Sequence, residues 1–249
     1  MTEIRPLIAG NWKMNGLAES LGEARELARQ LGEAPARARV ALCPPHTLVA
    51  QMALTLKGSP VEVGGQDCHA QVKGAFTGDV SAEMLADAGA GLVIVAHSER
   101  RAGYGETDEV AATKVRAALR AGLEPIVCVG ETLEEREAGR TLQVVGRQVA
   151  RSLPDQLAGQ GFAVAYEPVW AIGTGLTPTL AQIEEVHRAI RAALAERFGE
   201  HGAGVPILYG GSVNPKNAAE ILKVRDVGGA LVGGASLKCA DFLEIVRAA

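Results

Sequence analysis

Aromatic side chains are scarce, at 4% of 249 residues, so any core this chain builds must be aliphatic, filled from the 47% of apolar residues by Val, Ile, Leu and Ala. Basic charge is not in excess either. The formal net charge is −4, and no run of Lys and Arg forms the patch that attracts nucleic acid or an anionic membrane. Only four cysteines occur, Cys43, Cys68, Cys128 and Cys239, with neither the paired spacing of a zinc site nor the density of a secreted disulfide scaffold. They read as reduced thiols in a cytoplasmic protein. No apolar run approaches the ~18 residues of a membrane span, and the N-terminus carries a charged pair where a signal peptide would have its apolar centre. No linker or low-complexity stretch divides the chain, and no Gly-x-Gly-x-x-Gly turn follows the first strand-like run as a dinucleotide-binding sheet would require. What remains is a soluble single domain, residues 1–249, whose partners are small molecules.

What is present is repetition. A short β-rich apolar run, a polar or glycine-containing turn and an Ala/Leu/Arg/Glu-rich helical stretch recur along the chain. The strand-like runs are Pro6 to Asn11, Arg39 to Cys43, Val61 to Gln66, Gly91 to Ala96, Glu124 to Val129, Phe162 to Glu167, Pro206 to Tyr209 and Val227 to Val232. Helical patterns cover Leu17 to Leu31, Asp108 to Ala121, Thr141 to Leu153, Thr179 to Phe198, Asn214 to Leu222 and Asp241 to Arg247. Strict alternation predicts parallel strands joined by right-handed crossovers, and a count of eight favours closure. The expected fold is an α/β, single-domain (β/α)8 barrel, a parallel eight-stranded barrel with outer helices, for which a length of about 250 residues is typical. The helix from Thr179 carries a capping box with Gln182. It should turn Ile183, Val186, Ile190 and Leu194 inward, and Glu184, Glu185, Arg188 and Arg191 away.

In such a barrel every strand points its C-terminal end at one face, so polar residues at strand ends converge from distant parts of the chain. The first strand ends in Asn11 and Lys13, the fourth in His97, Ser98 and Glu99, the sixth in Glu167. His97 follows a buried run and opens a short helix, where positive charge is disfavoured, so a neutral imidazole donating one hydrogen bond is expected. His46, His69, His187 and His201 lack that context and default to structural or surface roles. Pro168 fixes the chain direction after Glu167, and Val169, Trp170, Ala171 and Ile172 are too apolar for an idle loop. Gly173, Thr174 and Gly175 then let backbone N–H groups approach a ligand. Small residues after strands seven and eight, including Ser212, Gly233 and Gly234, fit a phosphate site.

Six ordered pieces resemble the triosephosphate isomerase family over essentially the whole chain. They are Gly10 to Asn15, Gly74 to Gly78, Ala96 to Arg101, Cys128 to Glu131, Tyr166 to Gly175 and Tyr209 to Val213. The resemblance implies interconversion of dihydroxyacetone phosphate and glyceraldehyde 3-phosphate through an enediolate, in glycolysis and gluconeogenesis. Glu167 would be the base, His97 the polarising group, Lys13 the ammonium, Asn11 a hydrogen-bond donor, and Glu99 an orienting neighbour. Gly173, Ser212, Gly233 and Gly234 would bind the phosphate, and no metal or cofactor would be needed. It also implies a lid at 168–178, adding Leu176, Thr177 and Pro178 to the residues above, and a homodimer made through a loop at 64–84 with Phe76 and Thr77 reaching the partner. This chain departs from the family pattern at Leu176, where a basic residue is usual, and at Leu180, where proline is usual. Asp67 stands for a common amide and Asp79 for a longer acid. Two alternatives fit less of the chain: a phosphosugar-binding barrel without turnover, and an isomerase- or aldolase-type barrel for another phosphorylated metabolite.

Overall fold

The structure is a computed structural model that describes residues 5–174 and 176–249. In chain order it contains β1 (Leu7–Asn11), α1 (Leu21–Glu33), β2 (Arg39–Cys43), α2 (Val49–Thr55), β3 (Val61–Gly65), α3 (Ala82–Asp87), β4 (Leu92–Val95), α4 (Ser98–Tyr104) and α5 (Asp108–Arg120). There follow β5 (Glu124–Val129), α6 (Leu133–Glu137), α7 (Thr141–Ser152), β6 (Ala163–Tyr166), α8 (Leu180–Ala203), β7 (Ile207–Tyr209), α9 (Ala218–Ile221), β8 (Gly229–Val232) and α10 (Cys239–Arg247). Each strand pairs in parallel with its successor, and β8 pairs with β1, closing the expected barrel.

Closure sorts the strand residues by the two-residue period. One set, including Leu7, Ala9, Ala41, Cys43, Ile94 and Ile126, forms its own buried cluster and fills the barrel interior. The alternate set, including Ile8, Val40, Val93, Val127 and Val164, joins the helices' inner faces in a second layer. Both layers are aliphatic, as the shortage of aromatics requires, although Trp12, Tyr166, Tyr209 and Phe242 are among the largest fully buried side chains. Far from the strand C-terminal ends, Arg39 holds Glu62 at 3.0 Å and Glu124 at 2.8 Å, tying β2, β3 and β5 together.

Several element boundaries differ from the sequence expectation. A 3-10 turn at Ala18–Ser20 precedes α1, so the helix starts at Leu21 instead of Leu17. The segment 64–84 is not all loop: Gly64 and Gly65 belong to β3, and Ser81 caps α3 by accepting the Met84 N–H, leaving 66–81 irregular. The stretch 214–222 keeps only the four residues of α9. Asn214 and Asn217 side chains accept the N–H groups of Lys216 and Asn214, and this local bonding competes with helix. The capping box of Thr179 and Gln182 is present, and the expected apolar stripe of α8 is buried. At Gly199, with φ 59° and ψ −137°, α8 kinks where its periodic pattern ends. Arg191, expected to face away, instead donates to the Gly202 carbonyl at 2.9 Å and pairs with Asp226 at 3.5 Å.

Candidate active site

Asn11 closes β1 and is buried, its Oδ1 accepting the Lys13 N–H at 3.0 Å. Lys13 holds a φ of 55°, a conformation unusual for a long side chain, and its carbonyl accepts from Gln66 Nε2 at 2.8 Å. The Lys13 ammonium meets Glu99 Oε1 at 2.5 Å. Across the barrel mouth, His97 caps α4, its Nδ1 accepting the Glu99 N–H at 3.2 Å. An Nδ1 that accepts has no proton, so the ring proton sits on Nε2, which donates to Glu167 Oε1 at 2.8 Å. The other carboxylate oxygen, Oε2, accepts the Ser98 N–H at 2.9 Å.

These two buried groups set each other's charge. Burial favours a protonated Glu167, but His97, the Ser98 amide and the Cys128 thiol outweigh it, and the Glu167 pKa falls below its ordinary value. Burial likewise favours an uncharged His97, yet Glu167 and then Glu99 outweigh that and lift its pKa. The helix N-terminus therefore does not act alone on His97, as the sequence suggested, because a carboxylate faces the ring. Nor does dryness raise the basicity of Glu167 in this arrangement, in which both its oxygens are hydrogen-bonded.

A cavity of about 390 Å³ is lined by Asn11, Lys13, His97 and Glu167, and on its other side by Ser212, Gly233 and Gly234. Ile172 and Gly173 form part of the same wall, and Gly173 has a φ of 71°. Glu99 does not line it. It lines an adjoining cavity of about 300 Å³ together with Lys13, Met14 and Asp67. In segment 168–178, expected from the sequence to be a lid, Pro168 and Ala171 are buried, Val169–Ala171 form one 3-10 turn, and Thr174 Oγ1 donates to the Trp170 carbonyl at 2.8 Å. Leu176 and Thr177 are exposed, Pro178 is buried, and Gly175 lies outside the described residues. Phe76 and Thr77 sit exposed on the 66–81 loop, with the Phe76 ring 4.0 Å from that of His69.

The sequence reading missed several neighbours. Glu131 is fully buried, and its Oε1 accepts from Trp170 Nε1 at 2.9 Å, Tyr166 Oη at 3.2 Å and Arg136 at 3.2 Å. Arg136 lies 4.7 Å over the Trp170 ring. These contacts anchor the start of the lid, and the Cys-Val-Gly-Glu motif was the one available sign of them. Gly210 also passed unremarked as a spacer: a Cβ there would come within 2.8 Å of Glu167 Cγ.

A family model described as triosephosphate isomerase matches residues 6–249. The triosephosphate isomerase of Afipia carboxidovorans is 60% identical over 246 residues, covering 99% of this chain and 98% of that protein. That of Caulobacter vibrioides is 60% identical over 247 residues, with the same coverage. Among solved structures, triosephosphate isomerase from Bartonella henselae superposes with a TM-score of 0.92 at 48% identity, covering 98% of this chain and 99% of that one. A match of this extent, on a closed barrel with these strand-end residues, means that the chain belongs to the triosephosphate isomerase family.

Proposed function

We propose that this triosephosphate isomerase interconverts dihydroxyacetone phosphate and D-glyceraldehyde 3-phosphate with Glu167 as the proton-transferring base, in glycolysis and gluconeogenesis. The observation that carries the assignment of roles is that Glu167, His97 and Lys13 line one cavity, opposite small residues suited to a phosphate. The phosphate lies against the N–H groups of Gly173, Ser212, Gly233 and Gly234, with Lys13 and Asn11 between it and the reacting carbons. The substrate carbonyl oxygen takes the His97 Nε2–H in place of Glu167 Oε1, which frees the carboxylate to turn toward the adjacent C–H. Glu167 removes that proton, and negative charge grows on the oxygen that His97 and Lys13 face. The hydroxyl proton of the enediolate passes to the former carbonyl oxygen, and the Glu167 carboxylic acid, whose proton exchanges with solvent, protonates the neighbouring carbon. Fixed dipoles and one ammonium meet the charge, so the reaction asks for no metal or nucleotide.

Closure of 168–178 over the cavity keeps water from the enediolate, which would otherwise expel its phosphate. The chain acts as a homodimer and resides in the cytoplasm. Support for the dimer is the apolar surface beside the second cavity, where Met14 is 95% and Tyr104 73% exposed. Support for the compartment is four buried, unpaired cysteines and, among the described residues, no helix long and apolar enough to cross a membrane. The test is to add dihydroxyacetone phosphate in deuterated water with a chelator present. Solvent-labelled glyceraldehyde 3-phosphate is the expected product; a requirement for metal or nucleotide, or unlabelled product only, would overturn the mechanism.

A further inference from the structure

The loop after β8 carries two of the groups assigned to the phosphate, and a residue outside the cavity decides how they are aimed. Gly233, Gly234 and Ala235 line the substrate cavity, whereas Ser236 does not. Ser236 is 3% exposed and belongs to the 3-10 turn Gly234–Leu237. Its backbone N–H donates to the Gly233 carbonyl at 2.9 Å, and its hydroxyl donates to the same oxygen at 2.7 Å. One carbonyl thus takes two donors from one residue.

That carbonyl shares a peptide unit with the Gly234 N–H. The unit is planar and trans, so the N–H points opposite to the carbonyl, away from Ser236. Glycine stands on both sides of it, and glycine is the most permissive residue, so backbone sterics do little to stop the unit from turning over. A turned unit would present a carbonyl oxygen where a phosphate dianion needs a donor.

Ser236 is itself held. Its carbonyl accepts the Nε1–H of the buried Trp12 at 3.1 Å. Gly10 of β1 leaves it room: a Cβ there would come within 2.8 Å of Ser236 Cβ and 3.1 Å of its Oγ. After the turn, Glu23 of α1 accepts the Cys239 N–H at 2.8 Å and Lys238 Nζ at 2.9 Å. We propose that Ser236 is a positioning residue for phosphate binding: its hydroxyl locks the Gly233–Gly234 peptide with the Gly234 N–H turned toward the cavity. The inference rests on the phosphate site proposed above.

Ser236→Ala removes the hydroxyl and keeps both the Cβ and the backbone bond to Gly233. The experiment measures kcat and KM for glyceraldehyde 3-phosphate, and the competitive inhibition constant of inorganic phosphate, in the wild type and in Ser236→Ala. A donor that meets the phosphate serves bound substrate and transition state alike, so its loss should appear in binding. KM and the inhibition constant should each rise about tenfold, as expected when one charge-assisted hydrogen bond is weakened, with kcat within about twofold of wild type. A variant that melts lower but keeps the wild-type KM and inhibition constant overturns the proposal, because a merely structural hydroxyl would affect stability alone. So does a fall in kcat at unchanged KM, which would place the effect at the reacting carbons. Inorganic phosphate separates this inference from the reading beneath it. If phosphate does not compete with substrate in the wild type, the phosphate site itself is misplaced; if it competes equally in both proteins, only the role of Ser236 falls.

Discussion

Glu167 is one percent exposed, and its reach is fixed by the backbone at the end of β6 together with two hydrogen bonds. Glu167→Asp withdraws the carboxylate by roughly 1 Å, so kcat should fall about 10²-fold while the melting temperature stays put. Unchanged turnover would remove Glu167 from the role of base. His187 shows what a buried histidine does when no carboxylate faces it. It lies between the Tyr166 and Tyr209 rings, with Nδ1 3.3 Å from the Asp226 carbonyl and Nε2 unpartnered among the described residues. Burial, aided by Arg191, pulls its pKa from 6.5 to about 4. The unfolded chain binds a proton below pH 6.5 that the folded one refuses until about 4, so stability drains away across that window, by about 3 kcal/mol in total. His187→Gln should remove this component. Urea unfolding at neutral pH and near pH 4 should show the wild type losing about 3 kcal/mol more than the variant, and equal losses would refute it.

At the scale of elements, the site depends on how closely β5 and β6 approach. Gly130 follows β5, and its N–H and carbonyl are both held by the Gln148 side chain of α7, at 2.7 and 3.1 Å. A Cβ there would overlap the Glu167 carbonyl oxygen, backbone against backbone, and Gln148 prevents retreat. Gly130→Ala should therefore cost about 1–3 kcal/mol of stability and displace the Glu167 carboxylate as well. Gly146→Ala in α7 is the control: a Cβ there meets nothing within 4 Å, and relief of helical glycine should stabilise by up to about 1 kcal/mol with kcat unchanged. Thermal melts and kcat on the pair check both; a Gly130→Ala enzyme as fast and stable as wild type would contradict the close approach. The lid has a similar division. Its start is pinned through Glu131, Trp170 and Arg136, whereas Gly173, Thr174, Leu176 and Thr177 are exposed, so the closure proposed above should bend the middle while the first turn stays anchored.

For the whole molecule, exposed apolar area is the informative quantity. Met14, Leu17, Phe76 and Tyr104 are four of the exposed large apolar side chains, Leu54 and Met84 being exposed as well; Met14 and Tyr104 together border the second cavity, and exposed apolar side chains gathered in this way mark an interaction surface. Sedimentation equilibrium should return a dimer. Met14→Arg, which places charge at the most exposed of the four, should shift the protein toward monomer and lower kcat/KM by at least about tenfold, because Lys13 is its neighbour in the chain and in the second cavity. A fully active monomer would exclude the dimer from the function.

The sequence by itself determined the number and order of strands, because a two-residue period buried on both faces and a helical period of charge leave few alternatives. It also marked Asn11, Lys13, His97 and Glu167, since strand ends in a parallel barrel share one face. Helix ends were less legible where side chains compete for backbone N–H groups, as Asn214 and Asn217 do. Only the tertiary structure decided which side chains meet. It set Glu167 against His97 and Ser98, put Arg136 over Trp170, and gathered Asp67, Lys114 and Glu106 into one buried balance. Periodicity reports which face a residue occupies, but the distance between two charges depends on the angle and register at which separate elements pack, and those are fixed only when β8 closes on β1.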